Sequence, residues 1–136
     1  MNMMNGYQQY KQQSVETMTS GEMLIMLFDG AIKNLTAADF ALQKENYPLF
    51  DVAVEKTEKI IRYLRATLNM KYDISKELDR LYEYYLYLLM RLKAGRKPEI
   101  IAELKEHMTE LRDTFKEADR IAANQHKEAL AKQMQK

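Results

Sequence analysis

The chain has 136 residues, of which 46% are hydrophobic and 30% are charged, and its formal net charge is +1. This length suits one domain with one core, and such a balanced charge gives no general attraction to nucleic acid or to anionic lipid. The lack of cysteine excludes disulfides, thiolate metal ligands and cysteine nucleophiles, and it fits a reducing compartment.

The first 18 residues are predicted to form a flexible N-terminal tail. Met, Asn, Gln and Tyr follow one another there without a core-building period, and two tyrosines, Tyr7 and Tyr10, stand out. The tail lacks the apolar core of a signal peptide. The longest apolar run without tyrosine, residues 23–28, is far shorter than the ~20 residues that cross a bilayer. We therefore expect a cytoplasmic protein with no membrane insertion.

Four stretches after the tail are predicted to be helices. Each carries apolar residues at alternating steps of three and four, the spacing of one helical face. Thr19 and Glu22 have the spacing of a capping box for the first helix, and Ser75 suits the N-cap of the third. Pro48 and Pro98 suit the first turns of the second and fourth helices. The stripes run from Leu24 to Leu42, from Phe50 to Leu68, from Leu78 to Leu92 and from Ile101 to Ala122, and residues 69–74 break the pattern.

The predicted fold is all-α, an antiparallel up-down four-helix bundle over residues 19–123. Short links between helices favour antiparallel neighbours, and the three-and-four spacing is typical of bundle packing. After Asn124 the apolar content thins to a few side chains. Residues 124–136 are therefore predicted to be a C-terminal extension, either frayed or a short helix.

No pattern in the sequence predicts catalysis, a cofactor or a metal site. The two histidines, His107 and His126, are too few for a typical histidine metal site, and neither has a Glu three positions before it. There is no glycine-rich phosphate loop and no nucleophile motif. The one basic cluster, within residues 91–97, fits the C-terminal end of a helix dipole, and no aromatic stacking platform adjoins it. We expect no enzyme activity and no nucleic-acid binding.

The first and third helices carry more apolar residues than one core-facing stripe requires. A surplus of this kind predicts either a groove for an amphipathic helix of another protein, or self-association as a homodimer or larger homo-oligomer. Both interpretations are non-enzymatic, and the same faces could also serve an adaptor. The predicted partner-binding residues are Tyr7, Tyr10, Met23, Ile25, Met26, Tyr63, Tyr84 and Tyr87.

Two runs of the chain resemble a known family. VETMTSGEML at residues 15–24 and LFDGAIK at residues 27–33 resemble the VxTASPGEL and LYDGAIK segments of the flagellin-specific secretion chaperones, FliS. Residues 68–92 and 111–118 are similar to the later helices of that family. This chain has Ser20 in place of the usual proline, Phe28 in place of tyrosine, and Phe115 where tryptophan is common.

The resemblance implies a specific function. Chaperones of this family bind the disordered C-terminal segment of newly made flagellin in the cytoplasm and hold it helical around their own bundle. Binding blocks premature polymerisation, and the loaded chaperone delivers flagellin to the flagellar type III export gate. The resemblance also implies that the tail bearing Tyr7 and Tyr10 occupies part of the groove until flagellin displaces it.

Overall fold

In the computed structural model, residues 20–135 are described, and they form four α-helices with no strand among them. The helices are α1 (Ser20–Gln43), α2 (Tyr47–Ala66), α3 (Asp73–Gly95) and α4 (Pro98–Met134). Each helix packs on the next one along the chain, and α1 also packs on α4, which closes the bundle. The links are two to six residues long, so consecutive helices run antiparallel. The predicted four-helix bundle is confirmed.

Most helix starts follow their sequence signals. Pro48 and Pro98 lie in the first turns of α2 and α4, as predicted, and the Asn46 side chain caps α2 by accepting a hydrogen bond from the Leu49 N–H at 3.3 Å. The prediction that Ser75 caps the third helix is wrong. Helix α3 begins at Asp73, whose carboxylate suits the positive end of the helix dipole, and Ser75 is buried within the first turn. The predicted cap Thr19 lies outside the described residues.

The core is the set of side chains that the predicted stripes bring together, and it is centred on aromatic rings. The Phe28 ring lies 5.8 Å from that of Phe115 and 6.4 Å from that of Tyr82, so α1, α3 and α4 meet at one point. Thr57 is buried, and its hydroxyl donates a hydrogen bond to the Ala53 carbonyl oxygen, which removes the cost of burying the hydroxyl unpaired. Ring packing of this kind fixes the spacing of the helices.

Helix α4 is much longer than its neighbours. It has 37 residues against 20 to 24 in the others, so it is about 55 Å long where they are about 30–36 Å. Its last buried side chain is Met108, and every described residue after Asp119 is exposed. Ala118 and Ala122, which belong to the predicted core stripe, are therefore exposed, because the shorter helices do not reach them. Within the described residues no helix is both long and apolar enough to cross a membrane.

Candidate functional site

An apolar concavity that includes predicted site residues lies at the end of the bundle where α1 begins. It encloses about 530 Å³ between the start of α1, the end of α2 and the start of α3, and we call it the three-helix groove. Most of its lining side chains are apolar or aromatic. They are Met23, Leu24, Leu27, Tyr63, Leu64, Leu68, Tyr72, Leu78 and Tyr82, with Ser20, Thr67, Asn69 and Ser75 as the polar members.

The link between α2 and α3 forms part of the wall of the three-helix groove. Helix α2 ends at Ala66, and the Thr67 hydroxyl donates a hydrogen bond to the Tyr63 carbonyl oxygen at 3.0 Å. The Asn69 side chain accepts a hydrogen bond from the Lys71 N–H at 3.1 Å. Because these polar groups are satisfied within the link, the apolar side chains are left to face the groove. Burial raises the pKa of Tyr82, which lines the groove, so its hydroxyl stays neutral.

A shallower depression adjoins this groove on the outer side of α1. It encloses about 590 Å³, contains Ile25 and Met26, and shares Leu27 with the three-helix groove. A methyl group added at Gly30 would lie 3.4 Å from Ile60, so α1 and α2 approach closely here. Two carboxylates border the depression, Glu22 and Asp29, and Arg112 of α4 donates to Asp29 at 2.9 Å.

The predicted tyrosines of α3 lie elsewhere, on its outward face. Tyr84 is 41% exposed and donates its hydroxyl to Glu103 of α4 at 3.3 Å, while Tyr87 is 48% exposed and lies under the Arg91 guanidinium. Neither lines the three-helix groove or the depression beside it. The structure thus places Met23 with Tyr63, places Ile25 with Met26 next to them, and leaves the α3 tyrosines as a separate patch.

Two predicted site residues, Tyr7 and Tyr10, lie outside the described residues. The sequence interpretation also missed several side chains of the three-helix groove. Leu24, Leu68 and Leu78 had been assigned to core stripes, and Tyr72 to a break in the pattern. A signal for them exists, because each of these leucines is an end member of its stripe. An end member has no further helical turn to cover it, so it can face a groove as well as the core.

The recesses around α1 can bind apolar side chains, and few of the described residues that line them could help to form or break a covalent bond. Among residues 20–135, no three His, Cys, Asp or Glu side chains are grouped so that they could hold a metal ion. The His107 ring is exposed and lies edge-on to Tyr85, with 6.2 Å between ring centroids. What the described surface presents is therefore a set of apolar recesses around α1.

Comparison with known proteins agrees with the resemblance noted in residues 15–33. The family described as "Flagellar protein FliS" matches residues 3–122. The chain is 30% identical over 118 residues to the flagellar secretion chaperone FliS of Bacillus subtilis strain 168, which covers 87% of this chain and 89% of that protein. It is 28% identical over 130 residues to the protein of the same name from Vibrio cholerae, with 91% and 93% covered. Because the family match spans most of the sequence, this chain belongs to the FliS family of flagellar secretion chaperones.

Proposed function

We propose that the chain is a cytoplasmic flagellar export chaperone that binds the disordered C-terminal segment of flagellin. By holding that segment it prevents premature polymerisation, and when loaded it delivers flagellin to the flagellar type III export apparatus, without catalysing a reaction. The observation that carries this proposal is the three-helix groove, an open apolar recess of about 530 Å³ in a member of a chaperone family.

The energetics of such binding require more than one recess. Ordering a disordered segment costs about 2–5 kcal/mol or more of the gross interaction energy, so the ligand must bury a large apolar area in return. A segment that crosses from the three-helix groove to the depression at Ile25 and Met26 can do so. Methionine and tyrosine suit such a surface, since they repack around ligands of varied sequence. The α3 patch of Tyr84 and Tyr87 is separate from both recesses and is not part of this path.

The tail tyrosines, Tyr7 and Tyr10, are proposed to compete with flagellin for part of this surface. A competing segment lowers the apparent affinity by the fraction of molecules whose groove is open. Replacing Tyr10 by Ala should therefore expose more apolar surface to a hydrophobic dye and tighten flagellin binding. Unchanged dye binding together with unchanged affinity would argue against the cap.

The test of the groove is a titration of a fluorescent peptide with the sequence of the flagellin C-terminal segment. Tyr63→Asp places a charge in the three-helix groove at a half-exposed position, so the bundle should still fold, and affinity should fall at least about tenfold, as at other binding hot spots. Phe40→Ser is the matched control, because Phe40 is an exposed aromatic residue at the other end of α1. Equal binding by the parent and the Tyr63→Asp protein would refute this groove as the flagellin site.

Self-association is the second candidate, and the exposed α3 patch favours it. Tyr84, Tyr87 and Met90 are large side chains between 41% and 59% exposed on one helix. Light scattering separates the two ideas. If the chain is a chaperone, it forms a 1:1 complex with flagellin, whatever its oligomeric state in the absence of flagellin. A structural homo-oligomer gives a concentration-dependent dimer that Tyr87→Asp dissociates and that flagellin leaves unchanged.

A further inference from the structure

A second apolar groove lies at the opposite end of the α1–α2 hairpin, where α1 ends and α2 begins. It encloses about 300 Å³, and we call it the hairpin groove. Its walls include Phe40, Leu49 and Val52, which are 63%, 58% and 45% exposed, and its floor includes Ala37, Ala41 and Ala53. Along α1 it is about 25 Å from Met23, and it shares no residue with the three-helix groove.

The charged side chains that line the hairpin groove all carry positive charge. Lys44 and Lys56 are the only charged residues that line it, and Lys44 lies 5.3 Å from the centre of the Phe40 ring. The carboxylates that flank Lys56 along α2 are engaged with cations of the α3 end. Glu55 accepts from Lys93 at 2.9 Å, and Asp51 lies 3.7 Å from Arg96. Within residues 20–135 neither Lys44 nor Lys56 forms an ion pair, so the groove combines an apolar wall with two lysines that are available to a partner's carboxylates.

We propose that the hairpin groove binds an amphipathic helix of another protein whose apolar stripe is flanked by carboxylates. In this mode of recognition the apolar side chains of the partner helix supply the affinity. The two lysines of the groove favour a partner whose apolar stripe is flanked by negatively charged residues. The α1 side of the groove runs from Asn34 to Lys44, which corresponds to about three turns of a partner helix. The proposal is independent of the flagellin site, since none of its residues lines the three-helix groove.

Segments of this chain do not have the required charge. Residues 1–19 contain one acid, Glu16, and one cation, Lys11, so the chain's own tail has no acidic flank. The exposed end of α4, residues 116–135, has acids at 117, 119 and 128 against cations at 116, 120, 127 and 132. A second copy docking this helix would therefore bring no excess of negative charge. The charge of the groove thus points to a separate, acidic partner.

The probes are two synthetic 18-residue helical peptides with the same leucine stripe, one flanked by glutamates and the other by lysines. We expect the full-length chain to bind the glutamate peptide about tenfold more tightly at low salt, the effect of two favourable exposed ion pairs against two unfavourable ones. Phe40→Ser should weaken both peptides, and Lys44→Glu with Lys56→Glu should reverse the preference. The matched controls, Ile121→Ser and Lys76→Glu with Lys116→Glu, change exposed residues outside the groove and should have no effect on the binding of either peptide.

Four results would overturn the proposal. The two peptides could bind equally, the groove variants could bind as the parent does, or the control variants could lose binding to the same extent. The fourth is stoichiometric displacement of the glutamate peptide by the flagellin C-terminal segment together with loss of flagellin binding in Phe40→Ser. That result would make the hairpin groove part of the flagellin site. Thermal unfolding followed by circular dichroism, run on every variant, separates loss of binding from loss of fold.

Discussion

Adjacent residues on α3 have opposite roles. Leu88 is 3% exposed and belongs to the core, whereas Tyr87 is 48% exposed on the outward face. Leu88→Ala should lower the free energy of unfolding by about 2–5 kcal/mol, because it leaves a cavity that the core cannot fill. Tyr87→Asp should change that free energy by only about 0.5 kcal/mol, as for other surface substitutions. Urea unfolding of both variants measures the difference, and similar losses would show that α3 is rotated from its described orientation.

Because of two core tyrosines, the free energy of unfolding depends on pH in the alkaline range. Burial raises the pKa of Tyr85 to about 12 and also raises that of Tyr82. A tyrosine in the unfolded chain ionises near pH 10, so the unfolded state loses these protons first as pH rises. The stabilisation is complete below about pH 10 and is lost between about pH 10 and 12.

The measurement is the urea midpoint of unfolding at intervals from neutral pH to strongly alkaline pH. Replacing Tyr82 and Tyr85 together by Phe should flatten the alkaline decline relative to the parent, because the two groups that titrate differently in the folded and unfolded states are gone. An equally steep decline in the double variant would mean that other groups control alkaline unfolding.

At the scale of the element, the turn between α3 and α4 has an unusual residue. Gly95 is the last residue of α3, yet the residue with the left-handed backbone is the next one, Arg96, with φ of 52°. Side-chain contacts account for this, since the guanidinium lies 4.4 Å from the centre of the Tyr47 ring and 3.7 Å from Asp51. The left-handed backbone costs a non-glycine residue roughly 1–2 kcal/mol.

Two substitutions at this turn separate the backbone cost from the contacts. Arg96→Ala should destabilise the protein by about 1 kcal/mol, since it loses the cation–π contact and ion pair but keeps the backbone cost. Arg96→Gly should recover about 1 kcal/mol relative to Arg96→Ala, because glycine adopts the left-handed region without a Cβ penalty. Thermal melts of both proteins make the comparison. Equal stability of the two variants would show that φ at this position is relaxed.

The end of α4 is expected to contribute little to the bundle. Every described residue from 125 to 135 is exposed. Deleting residues 125–136 should therefore change the free energy of unfolding by no more than about 0.5 kcal/mol, as for other surface changes. Urea unfolding of the shortened chain measures this. A large loss would show that this end of α4 packs on part of the chain in solution.

Helices are well predicted from this sequence, and their ends less so. The stripe positions Phe28, Leu35 and Leu104 are all buried, because three-and-four spacing and burial have the same geometric cause. The cap of α3 was misplaced at Ser75, because a serine before an apolar run looks the same whether it caps a helix or lies buried in the first turn. The prediction that Ala118 and Ala122 belong to the core was also wrong, since a stripe predicts which face could be buried and carries no information on how far the neighbouring helices reach.

The candidate binding surface was predictable as a property of whole helices and much less as a set of residues. Surplus apolar positions on the first and third helices did indicate surface beyond the core. Spacing along one helix, however, cannot tell which positions on different helices meet, and so Met23 joins Tyr63 while Tyr84 lies on another face. The hairpin groove was missed for the same reason, because Phe40 and Val52 are brought together only by the α1–α2 turn.

For the molecule as a whole, we expect an apolar surface to capture the C-terminal segment of flagellin. Calorimetry of this protein with full-length flagellin, and with flagellin lacking its last few tens of residues, tests it most directly at low and at high salt. We predict a negative heat-capacity change and binding that survives 1 M salt, where the Debye length is only about 3 Å, and we predict no binding of the shortened flagellin. Undiminished affinity for the shortened flagellin, or loss of all binding at high salt, would contradict the account.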